Sequence, residues 1–208
     1  MELIDRLDAA RDRWNVLRHP FYLRWSEGEL ERDELALYAG QYRHAVGALA
    51  EASAAAAVAG EPNPELDRHA AEEMAHVALW DDFSRALGVD GGPTPLEATS
   101  GCANAWTAGR DRLECLAILY TVESGQPAIS RTKLDGLVEH YGMKRDGPET
   151  AYFRLHSELD REHAAQARRL LEELAEDADH ERLVELAEAA VEANWRLLDG
   201  VESAYAGR

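Results

Sequence analysis

Phe153-Arg154-Leu155-His156-Ser157-Glu158-Leu159-Asp160-Arg161-Glu162-His163 carries the pattern His-x-x-x-Asp-x-x-His. At about 3.6 residues per turn, positions 156, 160 and 163 fall within a narrow sector of one helix face. The same sector continues through Phe153, Ala167, Leu170 and Leu174, which form an apolar stripe. Two imidazoles and a carboxylate therefore point at the core. A buried carboxylate without a partner is costly, so such groups are paired or bound to metal. Two histidines and one carboxylate suit a first-row transition metal such as iron, manganese or zinc.

Two further stripes carry ionisable groups in place of apolar ones. One reads Leu66, Ala70, Glu73, His76, Trp80, Phe83, Leu87, with Glu73 and His76 one turn apart. The other reads Leu113, Leu116, Tyr120 and then Glu123, one heptad after Leu116. Glu73, His76, Glu123, His156, Asp160 and His163 thus give three carboxylates and three imidazoles from three helices. Di-iron carboxylate bundles are built this way, from inward Glu and His on facing helices. Glu72 points about 100° away from Glu73 and off the stripe, which makes Glu73 the ligand and Glu72 a surface or supporting group. His69 lies one heptad before His76 on the same face and is either a supporting group or an alternative ligand. Lys133 lies four residues after Ile129 and four before Leu137, also on an apolar stripe. A desolvated lysine loses its proton readily and becomes nucleophilic or oxidisable.

Helical periodicity recurs through the whole chain, and no β-type alternation lasts more than a few residues. Helices are expected over about Leu3 to Leu17, Glu31 to Ala59 with a bend at Gly47, and Pro64 to Leu87 with Asn63 as N-cap. A weak helix follows a capping box at Thr94-Pro95-Leu96-Glu97, interrupted by Gly101 and Gly109. Others are expected over Arg112 to Ser124, from Gln126-Pro127 to Tyr141, over Glu149 to Glu176 and over His180 to Ser203. Phe21, Tyr22 and Trp25 form an aromatic cluster that ends at Gly28. The expected architecture is one all-α domain, residues 1–208, of seven to eight helices.

A chain of 208 residues with 46% hydrophobic residues can bury a sizeable core. Its net charge of −18 makes nucleic acid an unsuitable partner. No run of apolar residues reaches membrane-spanning length and Met1-Glu2-Leu3-Ile4-Asp5 is no signal peptide, so no membrane contact is expected and the expected compartment is the cytoplasm. Cys102 and Cys115 are too few for a disulfide framework. Lysine occurs only at Lys133 and Lys144. His19, His44, His140 and His180 lack partner spacing and read as structural or surface residues. Trp14, Trp106 and Trp195 read as core or interface aromatics.

Several segments resemble the heme-oxygenase-like di-iron oxidases and oxygenases, which share a fold with the TenA thiaminases and the pyrroloquinoline-quinone synthase. They are His19-Pro20-Phe21-Tyr22 with Trp25, Gly28 and Leu30, then Leu37 to Tyr42, His76 to Phe83, Leu119 to Ser124, Lys133 to Leu137, and His156-x-x-x-Asp160-x-x-His163. The resemblance covers nearly the whole chain. It implies two iron ions, or iron with manganese, together with O2, an external reductant and a homodimer. Within the family the pattern is most similar to the self-sacrificing p-aminobenzoate synthases. There a Tyr at the position of Tyr22 supplies the aromatic ring and a Lys at that of Lys133 the amino group, and Tyr38 matches a further family tyrosine. Two positions depart: His69 stands where that subfamily has a Glu, and Val122 where it has a further Tyr. Glu73-x-x-His76 instead resembles an undecene-forming fatty-acid decarboxylase. The substrate implied is thus the protein's own side chains or an external small molecule such as a fatty or amino acid. A cofactor-free thiaminase-like reaction fits less well, because Gln41-Tyr42-Arg43 holds no Asp and neither cysteine sits in a matching motif.

Overall fold

Proline and asparagine set several of the helix starts. The protein's computed structural model describes residues 2–157 and 160–207, and the regular structure among them is all helical. α1 spans Leu3–Arg13 and α2 Pro20–Glu27, with a 3-10 turn, Val16–Arg18, between them. α3 spans Arg32–Val58, α4 Pro64–Ala86, α5 Glu97–Trp106, α6 Arg112–Glu123 and α7 Gln126–Glu139. A second 3-10 turn, Pro148–Thr150, leads into α8, Ala151–His156. α9 covers Asp160–Leu174 and α10 His180–Ala206. Asn63 caps α4 as expected, its side chain accepting from the backbone of Glu65 and Leu66. No helix among the described residues is long and apolar enough to cross a membrane.

The helix count exceeds the expected seven to eight for identifiable reasons. Pro20 opens α2 rather than only ending what precedes it, because His19 Nδ1 accepts from the Phe21 N–H at 3.0 Å. The helix expected to reach Leu17 stops at Arg13, and the Asn15 side chain accepts from Leu17 to start the 3-10 turn. The helix expected over 149–176 is two helices. α8 ends at His156, where the Ser157 hydroxyl donates back to the Arg154 carbonyl at 2.7 Å. Glu158 and Leu159, in the middle of that expected helix, lie outside the described residues. The capping box at α5 does not form. The N-cap is Leu96, and buried Gln41 on α3 does the work, accepting from the Leu96 N–H and the Thr99 hydroxyl while donating to the Thr94 carbonyl. Gly109 falls after that helix, and α3 runs through Gly47 without a break.

The apolar interior divides into two clusters. One gathers Phe21, Tyr22, Trp25, Tyr38, Tyr42, Trp80, Phe83, Tyr152 and Phe153 with parts of α6, α7 and α10. The other joins α1, α6, α9 and the start of α10 through Leu7, Leu66, Leu116, Ala167 and Leu171. On α4, Leu66 belongs to the second cluster and Trp80 to the first. His69, Glu73 and His76 lie between them. The order on α8 and α9 is the same, with Phe153 at one end, Ala167 at the other, and His156, Asp160 and His163 between. A buried polar layer therefore sits where two apolar cores meet.

α2 and α7 meet closely, which sets the height of Lys133. Trp25 Nε1 donates to the Lys133 carbonyl at 3.1 Å. A Cβ on Gly136 would stand 2.7 Å from Trp25 Cδ1 and 3.2 Å from the Trp25 carbonyl oxygen. Gly136→Ala is therefore expected to destabilise the fold by about 1–3 kcal/mol, despite alanine's better helix propensity. A urea midpoint at or above wild type would contradict this packing.

Candidate metal centre

Helix spacing delivers seven buried side chains to the polar layer. α4 supplies His69, Glu73 and His76, α6 supplies Glu123, α8 supplies His156, and α9 supplies Asp160 and His163. The structure brings together all six residues expected from the sequence and adds His69. His69 Nε2 stands 2.9 Å from Glu123 Oε1, and His76 Nδ1 3.0 Å from Glu73 Oε1. His163 Nδ1 lies 3.6 Å from Glu73 Oε1 and 3.9 Å from Asp160 Oδ1. His156 Nε2 lies 4.0 Å from Asp160 Oδ1. Two ligand groups emerge, His69, Glu73, Glu123 and His163 on one side and Glu73, His76 and His156 on the other. Glu73 is common to both. Asp160 reaches toward a histidine of each group.

Two of the imidazoles, His156 and His163, hold one nitrogen in a hydrogen bond and keep the other free. His156 Nδ1 donates to the Tyr152 carbonyl at 2.7 Å, which leaves its Nε2 lone pair free. His163 Nε2 meets Glu72 Oε2 at 2.9 Å, which leaves Nδ1 free and facing inward. A histidine that donates one N–H to a carbonyl or carboxylate and turns the other nitrogen inward has the usual arrangement of a metal ligand. His156 Nε2, His163 Nδ1, both oxygens of Glu123 and both of Asp160 are buried with no hydrogen-bond partner among the described residues. The close approach of His69 to Glu123 is a contact without hydrogen-bond alignment.

The electrostatics reflect three carboxylates crowded in a dry layer. Burial, then Glu123 and Glu73, push the Asp160 carboxyl well above its usual range. Burial also pushes Glu73 up, but hydrogen bonding to His76 and the neighbouring imidazoles outweigh it and hold the group below its usual value. Burial depresses His156 to about 4. Burial depresses His69 too, yet Glu123, Glu73 and Glu72 together leave it raised. Unpaired acceptors, inward lone pairs and crowded carboxylates are what two divalent cations would resolve, so the residues fit a two-metal centre.

Another grouping, His19 with Asp199 and Glu202, does not fit a cation. His19 Nδ1 accepts from Phe21, so Nε2 carries the proton and faces Asp199 at 3.1 Å. Glu202 is engaged by Arg24 at 2.8 Å.

Beside the centre lies an aromatic chamber. Tyr22 and Tyr38 share a hydroxyl–hydroxyl hydrogen bond of 2.8 Å. Lys133 Nζ stands 5.0 Å from the Tyr22 ring centroid, 5.5 Å from that of Tyr38 and 4.6 Å from that of Tyr42. Trp80 and Phe153 each lie at 5.8 Å. Lys133 is 2% exposed, so it does not snorkel to the surface. Burial alone pushes its ammonium down to about 7. The chamber and the centre share their helices, since Trp80 follows His76 by one turn and Phe153 precedes His156 by one. The Tyr152 ring stacks on His156 with centroids 3.9 Å apart.

Sequence reasoning left His69 open and passed over Tyr42 and Tyr152. The heptad spacing of His69 and His76 was the available signal. His69→Ala is expected to reduce bound iron as much as His76→Ala does, each by about one ion per chain, because each removes an imidazole from one group. Iron analysis of both variants checks this, and full iron content in His69→Ala would return it to a supporting role.

The sequence pattern of the iron-containing redox enzymes matches residues 38–195 of the chain. A 4-aminobenzoate synthase of Chlamydia muridarum is 32% identical over 96% of this chain and 89% of its own length. Those of Chlamydia trachomatis serovar D and Nitrosomonas europaea are 33% and 31% identical, each over 96% of this chain and 91% of the relative. A domain with a heme oxygenase-like fold from Shewanella denitrificans superposes with a TM-score of 0.80 at 20% identity, covering 99% of this chain and 94% of that one. A TenA homologue from P. horikoshii gives 0.78 at 16% identity, covering 97% and 98%. At these identities the two structures establish the fold alone, which is the heme-oxygenase-like bundle expected from the sequence.

Proposed function

The chain belongs to the family of iron-containing redox enzymes, and from that premise we propose that it is a self-sacrificing 4-aminobenzoate synthase. In this reading Tyr22 gives the aromatic ring and Lys133 the amino group. The observation that carries the reading is the placement of Lys133 Nζ, 5.0 Å from the Tyr22 ring in a chamber where, among the described residues, burial alone shifts the amine. The relatives named 4-aminobenzoate synthase support the product.

His69, Glu73, His76, Glu123, His156, Asp160 and His163 would hold two iron ions, or one iron and one manganese, which supply O2 activation with electrons from an external reductant. The chain's own residues prepare the rest. With its ammonium pushed down to about 7, Lys133 holds a substantial share of neutral amine near neutral pH, with its nitrogen set among aromatic rings. Burial holds the Tyr22 and Tyr38 hydroxyls well above their usual range, so both remain phenols. The hydrogen bond between them gives Tyr22 a partner for moving a proton from Oη. Val122, buried beside Glu123, offers no phenol there, which leaves Tyr38 as the phenol bonded to Tyr22. Tyr42, Trp80 and Phe153 keep water from the amine.

The test is incubation of metal-loaded protein with reductant and O2 and no added substrate. The expected result is 4-aminobenzoate in the filtrate, with side-chain loss at Tyr22 and oxidation at Lys133 by peptide mapping. An unmodified chain that turns over an added fatty or amino acid would replace this reading with an external-substrate oxygenase.

A further inference from the structure

The wall of the metal centre is one side chain thick at His163. A surface cavity of about 500 Å³ opens there, lined by Glu65, Arg68, Glu72, Glu162, His163 and Gln166 among others. His163, 3% exposed, forms its floor. One nitrogen of that ring faces out to Glu72 Oε2 at 2.9 Å, and the other faces Glu73 and Asp160 inside. Glu72 itself has a side chain 34% exposed, and its second oxygen lies 3.7 Å from Arg68 Nε. It therefore touches solvent and a ligand of the centre at once. His69, Glu73, His76, Glu123, His156 and Asp160 are all 4% exposed or less. Gln166 adds a second sign that the cavity is built to hold something. It is 6% exposed, lines the cavity, and its Nε2 has no partner among the described residues.

On the reading of the buried layer as a metal centre, we propose that Glu72 is the loading ligand through which a divalent first-row cation passes from solvent to that centre. A hydrated cation meets a chain of net charge −18 and a mouth holding Glu65, Glu72 and Glu162 against Arg68 and Arg169. Arg169 is taken up by Glu65 at 2.5 Å, so Arg68 is the cation that competes for Glu72. Capture at the Glu72 carboxylate replaces water by a fixed oxygen ligand. Rotation of the His163 ring then opens the layer, and Gln166 stands beside it to hold the displaced carboxylate through its free amide nitrogen. Once the cation is inside, the Glu72–His163 hydrogen bond closes behind it and fixes the inward nitrogen as a ligand.

The experiment follows Co(II) uptake by the metal-free full-length chain, read from visible d–d absorption in a stopped-flow instrument. Glu72→Gln removes the carboxylate charge but keeps an amide oxygen that can accept from His163 Nε2–H, so at saturating Co(II) it is expected to reach the same final spectrum and two ions per chain, with uptake slowed at least tenfold. Arg68→Gln, on the protein surface, is expected to accelerate uptake. Added salt should slow wild type more than Glu72→Gln. Unchanged uptake in Glu72→Gln overturns the proposal. So does an altered final spectrum or stoichiometry in that variant, which would make Glu72 a positioning residue for His163. Failure of wild type to bind Co(II) at all would instead remove the metal-centre reading on which the proposal rests.

Discussion

Glu73→Ala is expected to strip both halves of the metal layer at once, whereas His76→Ala should leave about one ion per chain. Glu73 is the carboxylate shared by the two ligand groups. Its Oε1 stands 3.0 Å from His76 on one side and 3.6 Å from His163 on the other. Removing it subtracts a ligand and a negative charge from each position. Loss of a supporting partner alone costs roughly 10–100-fold in affinity, and loss of a ligand common to two sites should exceed that at each. Asp160→Ala should lower the iron content without abolishing it, since Asp160 reaches both groups at about 4 Å but belongs to neither compact set. Iron per chain, with helicity by circular dichroism as the control, separates these outcomes. One ion retained in Glu73→Ala would mean that Glu73 serves only one of the two ligand groups.

Lys133→Met should abolish 4-aminobenzoate formation, leave two metal ions bound, and stabilise the fold. Production below about one hundredth of wild type is expected, because on the proposed reading the variant has lost the amine donor. The gain in stability should be about 1–4 kcal/mol at pH 7, since a buried charge-bearing group gives way to an apolar one of similar length. The pH dependence supplies an independent check. The folded value of Lys133, about 7, lies below its ordinary 10.5. Between those values the unfolded chain binds a proton that the folded chain does not, so the lysine makes stability rise with pH from about 7 to 10.5. That rise should be missing in Lys133→Met. Continued product formation by the variant would move the amine source away from Lys133.

Much of the buried polar layer was legible because its residues obey helix periodicity. Glu73 and His76, Glu123, and the His156, Asp160 and His163 set all interrupt apolar stripes, and an interrupted stripe can be read without knowing which helix faces which. His69 was harder, since it shares a face with His76 at heptad spacing, and periodicity does not tell a ligand from a supporting histidine there. The break after His156 was not legible, because Ser157 suits a helix surface and an ending equally well and its hydroxyl decides only in place. The support of α5 by Gln41 was hidden for another reason, as the groups it bonds lie more than 50 residues away, the Thr94 carbonyl as acceptor and the Leu96 N–H and Thr99 hydroxyl as donors. The chamber around Lys133 is assembled from α2, α3, α4 and α8, so sequence could place the lysine on an apolar face without naming the rings that enclose it.

The two lysines give the protein a built-in clock. Lys144 is exposed, while Lys133 is sealed among rings. An amine-reactive reagent applied to the native chain should therefore acylate Lys144 at once and Lys133 only when the fold opens, so at reagent concentrations where acylation outpaces reclosing the delay between the two adducts reads the opening rate. The same reagent applied after full denaturation counts the surviving amines. A terminal amine adds equally to every molecule, so a fresh molecule takes two lysine adducts and, on the proposed reading, one that has consumed Lys133 takes a single lysine adduct, which would let spent and unspent molecules in one sample be counted by mass.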